Sequence, residues 1–247
     1  MAKTYTYNDA WNVARKQVPS STEADHAATI CNLATNEVWG SFDWRESLRE
    51  LPPFYLIPSE QDYGAPSVTI PSDFMGLREA FVVCTNSEPP QRTELTVVKD
   101  LRAESGHQYP HAIGYESSKN VFRLFPRVPD SFAPPNYMVD GIYKKRPTKI
   151  TTDTLYATLP FDDIYFSVMI DAIKWAGMRI AGDPRAGELQ VRQNGQRVYT
   201  GQYAIMKERI EEMALTEAVD LGNPVIAPRE AYPQMRGGSS RGGLYWY

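Results

Sequence analysis

The most apolar stretch of the chain is FDDIYFSVMIDAIKWAGMRIAG, at residues 161–182. Its large apolar side chains recur at three- and four-residue spacing and cover two adjoining faces of a helix. Polar residues interrupt this surface at few positions, so the helix should be buried against several neighbours. Each large side chain removed from water contributes roughly 1.5–3 kcal/mol. We therefore predict that residues 161–182 form the helix around which the rest of the chain packs.

Acidic residues mark the start of this helix. Pro160 should end the preceding segment, and Asp162 and Asp163 follow it directly. Together with Asp171 they could form a carboxylate cluster for metal-assisted phosphoryl chemistry. Acids are common at helix N-termini, because they face the unpaired amides of the first turn. We therefore interpret the first two acids as N-terminal charges rather than as catalytic groups.

Helical patterns also precede this stretch. Tyr7 and Trp11 lie at helical spacing. Ser20 and Glu23 have the spacing of a capping box, in which the serine and glutamate side chains satisfy exposed amides of the first turn. These signals predict an N-terminal helical segment, followed by a long helix over residues 21–42.

Two more segments are predicted to be helical. Residues 44–51 should extend the packing surface of the preceding helix until Pro52 stops it. Residues 186–219 show an amphipathic pattern, with Gly195 and Gly201 as points where the helix could bend or break. The charged residues of this last helix are interpreted as its solvated face: Lys207, Glu208, Arg209, Glu211 and Glu212.

Between the helical parts the apolar period falls towards two, and prolines separate short segments. A polar SSKN link joins AIGYE to VFRLF, which predicts a hairpin. The separations are too short for crossover helices, so we expect antiparallel strands in a small sandwich or barrel. The predicted strands are residues 67–70, 77–83, 93–98, 112–116, 121–125 and 137–145.

These patterns together predict an α+β fold. Residues 1–51 and 148–221 are expected to form a helical bundle from the N- and C-terminal helices. A central antiparallel β-rich insertion should occupy residues 52–147. Residues 222–247 lack apolar periodicity and are expected to form an extended C-terminal tail.

Composition excludes several classes of function. The 247-residue chain is 42% hydrophobic, carries a net charge of −4, and has no run of apolar residues long enough to span a membrane. This charge gives no general attraction for nucleic acid. Cys31 and Cys84 are expected to be reduced and buried. His107 and His111 are separated by Pro110 and do not predict a metal site. We find no motif of an enzyme, and we expect no catalytic residue, cofactor or metal.

The tail contains the residues best suited to bind a partner. Two RGG triplets precede a terminal aromatic cluster. In longer arrays such triplets bind single-stranded nucleic acid through charge and stacking, whereas exposed aromatic residues often fill a pocket of a partner protein. The residues predicted to bind the partner are Tyr232, Met235, Arg236, Arg241, Leu244, Tyr245, Trp246 and Tyr247.

Two stretches and the tail resemble the head-to-tail connector, or adaptor, proteins of tailed bacteriophages. The stretches are VTIPSDFMGLREAFVV at residues 68–83 and DTLYATLPFDDIYFSVMIDAIKWA at residues 153–176. The resemblance also covers the order of helices, β-rich insertion, helices and tail. It implies a structural virion protein that is made in the host cytoplasm.

The same resemblance implies partners. The expected assembly is a homo-oligomeric ring, commonly of twelve subunits, between the portal protein and a downstream tail or neck protein. Double-stranded DNA would pass through its channel without sequence-specific binding, and no membrane would be involved. The tail would insert into or along portal subunits. Two alternatives remain open: a nucleic-acid-binding protein that uses the RGG tail, and a tail-completion or tube protein.

Overall fold

The computed structural model describes residues 4–19, 26–99, 109–130, 136–192 and 196–220. The chain divides into two compact units. The first, here called the terminal unit, comprises Met1–Trp44 and Lys149–Tyr247. The second, the central unit, comprises Arg45–Thr148.

Four α-helices pack together in the described part of the terminal unit. They are α1 (Tyr7–Ala14), α2 (Ala27–Ser41), α3 (Phe166–Ile180) and α4 (Gly201–Asp220). Helix α3 contacts the other three, and its residues Val168, Ala172 and Ile173 are completely buried. The prediction of a central helix within residues 161–182 is therefore confirmed. The described part of the predicted helix over residues 21–42 is α2, whereas Ser20 and Glu23 lie outside the described residues.

Polar contacts position the segments that enter and leave these helices. A reciprocal capping box begins α1, because Asp9 N donates to Thr6 Oγ1 over 3.1 Å and Thr6 N donates to Asp9 Oδ2 over 2.9 Å. The side-chain amide of Asn32 on α2 holds the backbone of Ile150, with which it exchanges bonds of 2.6 and 2.8 Å. The chain is thus fixed to α2 where it re-enters the terminal unit.

The central unit is built on one curled seven-stranded sheet. Its spatial order is β1-β7-β3-β4-β5-β6-β2. Phe54, Phe74 and Phe122 meet in its core at ring-centroid distances of 5.3 and 5.8 Å, and all three are buried. The strands are β1 (Leu48–Tyr55), β2 (Asp62–Tyr63), β3 (Phe74–Cys84), β4 (Gln91–Val98), β5 (Ala112–Glu116), β6 (Val121–Phe125) and β7 (Tyr137–Lys145).

Most of the predicted strands are confirmed. β5, β6 and β7 have the predicted bounds, and β5 and β6 form the predicted hairpin. β3 and β4 contain the predicted segments and extend beyond them. Residues 67–70 form no strand, and β2 was not predicted. The sheet is not wholly antiparallel, because β4 and β5 pair in parallel through Thr96–Ala112 to Val98–Gly114. The connection between these two strands is long enough for a crossover.

Two segments predicted to be helical have another structure. Residues 48–51 of the first segment belong to the edge strand β1, which among the described strands pairs only with β7 and carries a register shift between Leu51 and Phe54. Pro52 and Pro53 lie at this shift, where a strand does not need their missing N–H groups. Residues 186–200 contain a hairpin of β8 (Leu189–Val191) and β9 (Arg197–Tyr199) instead of the first half of one long helix.

The predicted fold class was therefore wrong. The described part of the chain is dominated by the seven-stranded curled sheet and has few helices, not a helical bundle formed by the N- and C-terminal helices. The amphipathic pattern at residues 186–219, which is polar at first and apolar later, and the apolar residues at 44–51 misled the prediction. Leu189 and Val191 of β8 are exposed, so the first part of the pattern at 186–219 marks no buried face, and the helical content is lower than expected.

Candidate functional site

The residues predicted to bind a partner all lie beyond the described part of the chain. α4 is described to Asp220, and both RGG triplets and the aromatic cluster follow it. The predicted set therefore stays a prediction: Tyr232, Met235, Arg236, Arg241, Leu244, Tyr245, Trp246 and Tyr247.

The described residues offer no metal site. Among them, no group of three or more His, Cys, Asp and Glu side chains is arranged to hold a metal ion. His111 lies beside β5, where its backbone bonds to Thr96 and Phe125, and His107 lies outside the described residues. No helix in the described part is long and apolar enough to cross a bilayer.

Asp163 and Asp171, two of the three acids considered as a carboxylate cluster, make separate contacts. Asp163 accepts hydrogen bonds from the Thr4 amide at 2.9 Å and the Thr4 hydroxyl at 2.6 Å. These bonds stabilise the carboxylate and lower the pKa of Asp163. It thus fixes the N-terminal segment onto the 3₁₀ turn Asp163–Tyr165 that leads into α3, where it lies in the first turn as expected, although neither Asp162 nor Asp163 makes a side-chain cap. Asp171 lies in the middle of α3 and is 4% exposed.

An ion-pair cluster around Asp171 joins α3 to α4. Lys174 Nζ lies 3.3 Å from Asp171 Oδ1, and Arg209 Nε lies 2.9 Å from Asp171 Oδ2. The Arg209 contact is an ion pair without hydrogen-bond geometry, so Oδ2 accepts no hydrogen bond within the described residues. Gln202 Nε2 approaches Oδ1 at 3.5 Å. These contacts set how the two helices face each other.

A second buried ion pair joins α4 to α2. Lys207 Nζ lies 2.7 Å from Glu37 Oε1 and donates to Ser41 Oγ over 2.9 Å. The Tyr203 hydroxyl donates to the same Glu37 oxygen over 2.8 Å. Lys207 is 8% exposed, so its assignment to the solvated face of the helix was wrong. A buried ammonium requires such partners, because desolvation of an unpaired charge is costly.

A groove runs along the outer side of the α3–α4 pair. Its volume is about 400 Å³, and Ile205 within it is 47% exposed. Glu208 and Glu212 stand one turn apart on α4 and are exposed. Neither carboxylate has an ion-pair or hydrogen-bond partner among the described residues, whereas Arg209 is held by Asp171. The residues that line the groove are Ser167, Ile205, Glu208, Arg209, Glu212 and Met213.

Two glycines close the β8–β9 hairpin at its base, just before α4. Gly187 and Gly201 have φ values of +68° and +58°. A Cβ on Gly187 would lie 1.9 Å from Thr200 O, and one on Gly201 would lie 2.5 Å from Arg185 O. Glu188 N donates to Thr200 Oγ1, which donates to Glu188 O, each over 3.1 Å. Neither Gly187 nor Gly201 can therefore be replaced by a residue with a side chain without displacing backbone atoms. The closed base fixes the residue at which α4 begins.

The buried thiol of the terminal unit is not suited to nucleophilic chemistry. Cys31 is fully buried, and this burial raises its pKa to about 12. Because the thiolate is the nucleophile, the protonated thiol is inert at neutral pH. Burial also raises the pKa of the neighbouring Tyr7 to about 12. Cys84 is half-buried rather than buried, and both cysteines are free.

The sequence contained a signal for one of the overlooked contacts. Met206, Lys207, Ile210 and Ala214 recur at spacings of one, three and four, and all four are buried. The lysine therefore lies on the inner stripe of α4, and its position could have been predicted from that periodicity. No sequence pattern identifies its partner Glu37, because the two residues are distant in the chain.

Comparison with known proteins identifies a family. The family model described as "SU10 adaptor protein" matches residues 5–228, which is nearly the whole chain. A search of curated proteins found no match. The family match agrees with the resemblance to phage head-to-tail adaptors seen in the sequence. The chain therefore belongs to the SU10 adaptor protein family.

Proposed function

We propose that this protein is a structural virion component that joins the head of a tailed phage to its tail. The observation that carries the proposal is the family match over residues 5–228.

The proposed assembly is a homo-oligomeric ring of twelve subunits between the portal protein and a downstream tail or neck protein. Large apolar side chains remain exposed on the terminal unit, including Tyr156 at 72% and Val191 at 65%. Contacts between subunits would remove such side chains from water. The net charge of −4 suits a channel for DNA, because a wall without a basic excess does not retain phosphates.

The proposed portal contact is made by residues 232–247. Aromatic side chains such as Trp246 and Tyr247 dominate many protein interfaces. Each tail would lose conformational entropy on binding, so stable attachment would depend on many tails of one ring acting together.

The test is deletion of residues 233–247, with a control in which a Gly/Ser sequence of equal length replaces them. Both proteins should fold like the full chain by circular dichroism, and both should fail to join portal-containing particles. Normal incorporation of either variant would refute the portal contact.

Electron microscopy of the purified protein mixed with capsids or tail components tests the assembly. A closed ring at the head-to-tail junction is expected. A ring elsewhere in the tail would favour a tail-completion or tube protein. Tail-dependent DNA binding that weakens steeply with salt would favour the nucleic-acid alternative.

A further inference from the structure

The α3–α4 groove presents an apolar side chain followed by acidic charge. Ile205 is 47% exposed, and Glu208 and Glu212 follow it along α4. Both carboxylates are exposed and have no ion-pair partner in the described part of the chain, and like charges one turn apart repel each other. Arg209, which also lines the groove, is held by Asp171. A partner surface with an apolar side chain and cations beside it would cover the groove and remove this repulsion.

A surface of that kind lies at the end of α1. Val13 is 42% exposed, and Arg15 and Lys16 follow it in the 3₁₀ turn that continues the helix. Side chains three residues apart are neighbours on a helix, so Lys16 lies beside Val13. Both basic side chains are exposed, and neither has an ion-pair partner among the residues that the structure describes. The pattern of an apolar residue and a charge three positions later is the same as in Ile205 and Glu208, with the opposite sign.

These two surfaces belong to one compact unit but do not form a contact within it. Helices α1 and α4 both pack against α3, whereas packing between α1 and α4 themselves is slight at most in the described residues. Two complementary surfaces at different places on one subunit make a heterologous contact with the next copy. Repetition of such a contact closes a ring when the rotation between subunits allows it.

We propose that the end of α1 docks into the α3–α4 groove of the next subunit. Val13 packs on Ile205, and Arg15 and Lys16 pair with Glu208 and Glu212. This contact rests on the proposed ring, in which it is one part of the interface between neighbouring subunits. Passing DNA is not the occupant of the groove, because DNA carries the same sign of charge as the two free carboxylates.

Charge reversal tests the contact, with electron microscopy of the full chain mixed with tailless, portal-containing particles as the assay. The variants E208K/E212K and R15E/K16E place like charges at every contact, so each should lower the yield of complete rings about tenfold or more. A chain with all four substitutions should recover the yield, because its two surfaces are complementary again. A one-to-one mixture of the two variants should also recover it in a ring with an even number of subunits, in which they alternate. All four positions are exposed, so circular dichroism should show an unchanged fold.

A matched control reverses two exposed glutamates on the sheet, Glu79→Lys with Glu94→Lys. It should leave the yield of rings unchanged, and an equal loss of rings in this control would overturn the contact, because the effect would then come from net charge. Normal rings from either two-residue variant, or no recovery in the chain with all four substitutions, would overturn the contact but not the ring. Absence of rings from the unsubstituted chain would refute the proposed ring and this contact with it.

Discussion

The buried ion pair between α2 and α4 allows a quantitative test of how the terminal unit is stabilised. Lys207 Nζ lies 2.7 Å from Glu37 Oε1, but the two side chains differ in exposure, at 10% and 27%. We therefore expect the two single substitutions to have unequal costs. Glu37→Leu leaves the more deeply buried charge unpaired, whereas Lys207→Met leaves a carboxylate that still reaches water and keeps the Tyr203 hydroxyl as a donor.

The expected magnitudes follow from this asymmetry. Loss of one partner of a buried pair costs about 3–5 kcal/mol. Glu37→Leu should lower the free energy of unfolding by about 3 kcal/mol, the lower end of this range, because Ser41 Oγ still accepts a hydrogen bond from the Lys207 ammonium. We expect about 1 kcal/mol for Lys207→Met, because hydrogen bonds have a net value of that order. The double variant should cost about 1–2 kcal/mol, which corresponds to a coupling energy of about 2–3 kcal/mol.

Urea unfolding monitored by far-UV circular dichroism measures these values, provided that the slope with denaturant is unchanged. The control is the exposed pair of Arg92 and Asp140, at 2.9 Å with side-chain exposures of 55% and 27%. Its coupling energy should stay below about 1 kcal/mol. Equal costs for the single substitutions, additive within about 0.5 kcal/mol, would refute the reasoning.

Three further substitutions test other parts of the terminal unit. Gly187→Ala should lower the melting temperature more than Gly182→Ala, because both residues have positive φ but only the first Cβ meets backbone atoms; equal effects would contradict this. Burial raises the pKa of Cys31 to about 12, against 9.0 for an ordinary thiol. Its contribution to the free energy of unfolding should therefore be complete below pH 9 and be lost as pH rises towards 12. Cys31→Ala should flatten this loss in alkaline urea titrations. Hydrogen bonds from Thr4 lower the pKa of Asp163. The stability they contribute is present above the ordinary pKa of an aspartate and is lost as pH falls through the folded value, so Asp163→Asn should reduce the acid dependence of thermal unfolding.

The elements that could be predicted from the sequence are those in which local pattern and tertiary environment agree. Helix α3 is apolar on two faces and is in fact buried by three neighbouring helices. Strands β5 and β6 have clear turn residues between them, including Asn120 with a φ of +54°. A periodic apolar surface was enough to predict α3, and a defined turn was enough to predict the β5–β6 hairpin.

The errors arose where one pattern fits two structures. Residues 48–55 contain two prolines, which suggested a stop, yet an edge strand tolerates them at a register shift. Residues 186–199 carry the polar first part of an amphipathic pattern, but the positive φ of Gly187 and Gly201 breaks the helix. A long-range pair such as Glu37 and Lys207 has no local signal. The groove depends on the packing of α3 against α4, so it too could not be predicted.

The hairpin before α4 makes length variation possible at one defined place. Its base is closed by backbone and Thr200 hydrogen bonds and by the close approach of Gly187 to Thr200. Residues added between β8 and β9 would therefore not have to shift α3 or α4 along their axes. This hairpin is a suitable position for a short epitope or a fluorescent label, which could be used to follow the protein into particles while both chain ends stay unmodified.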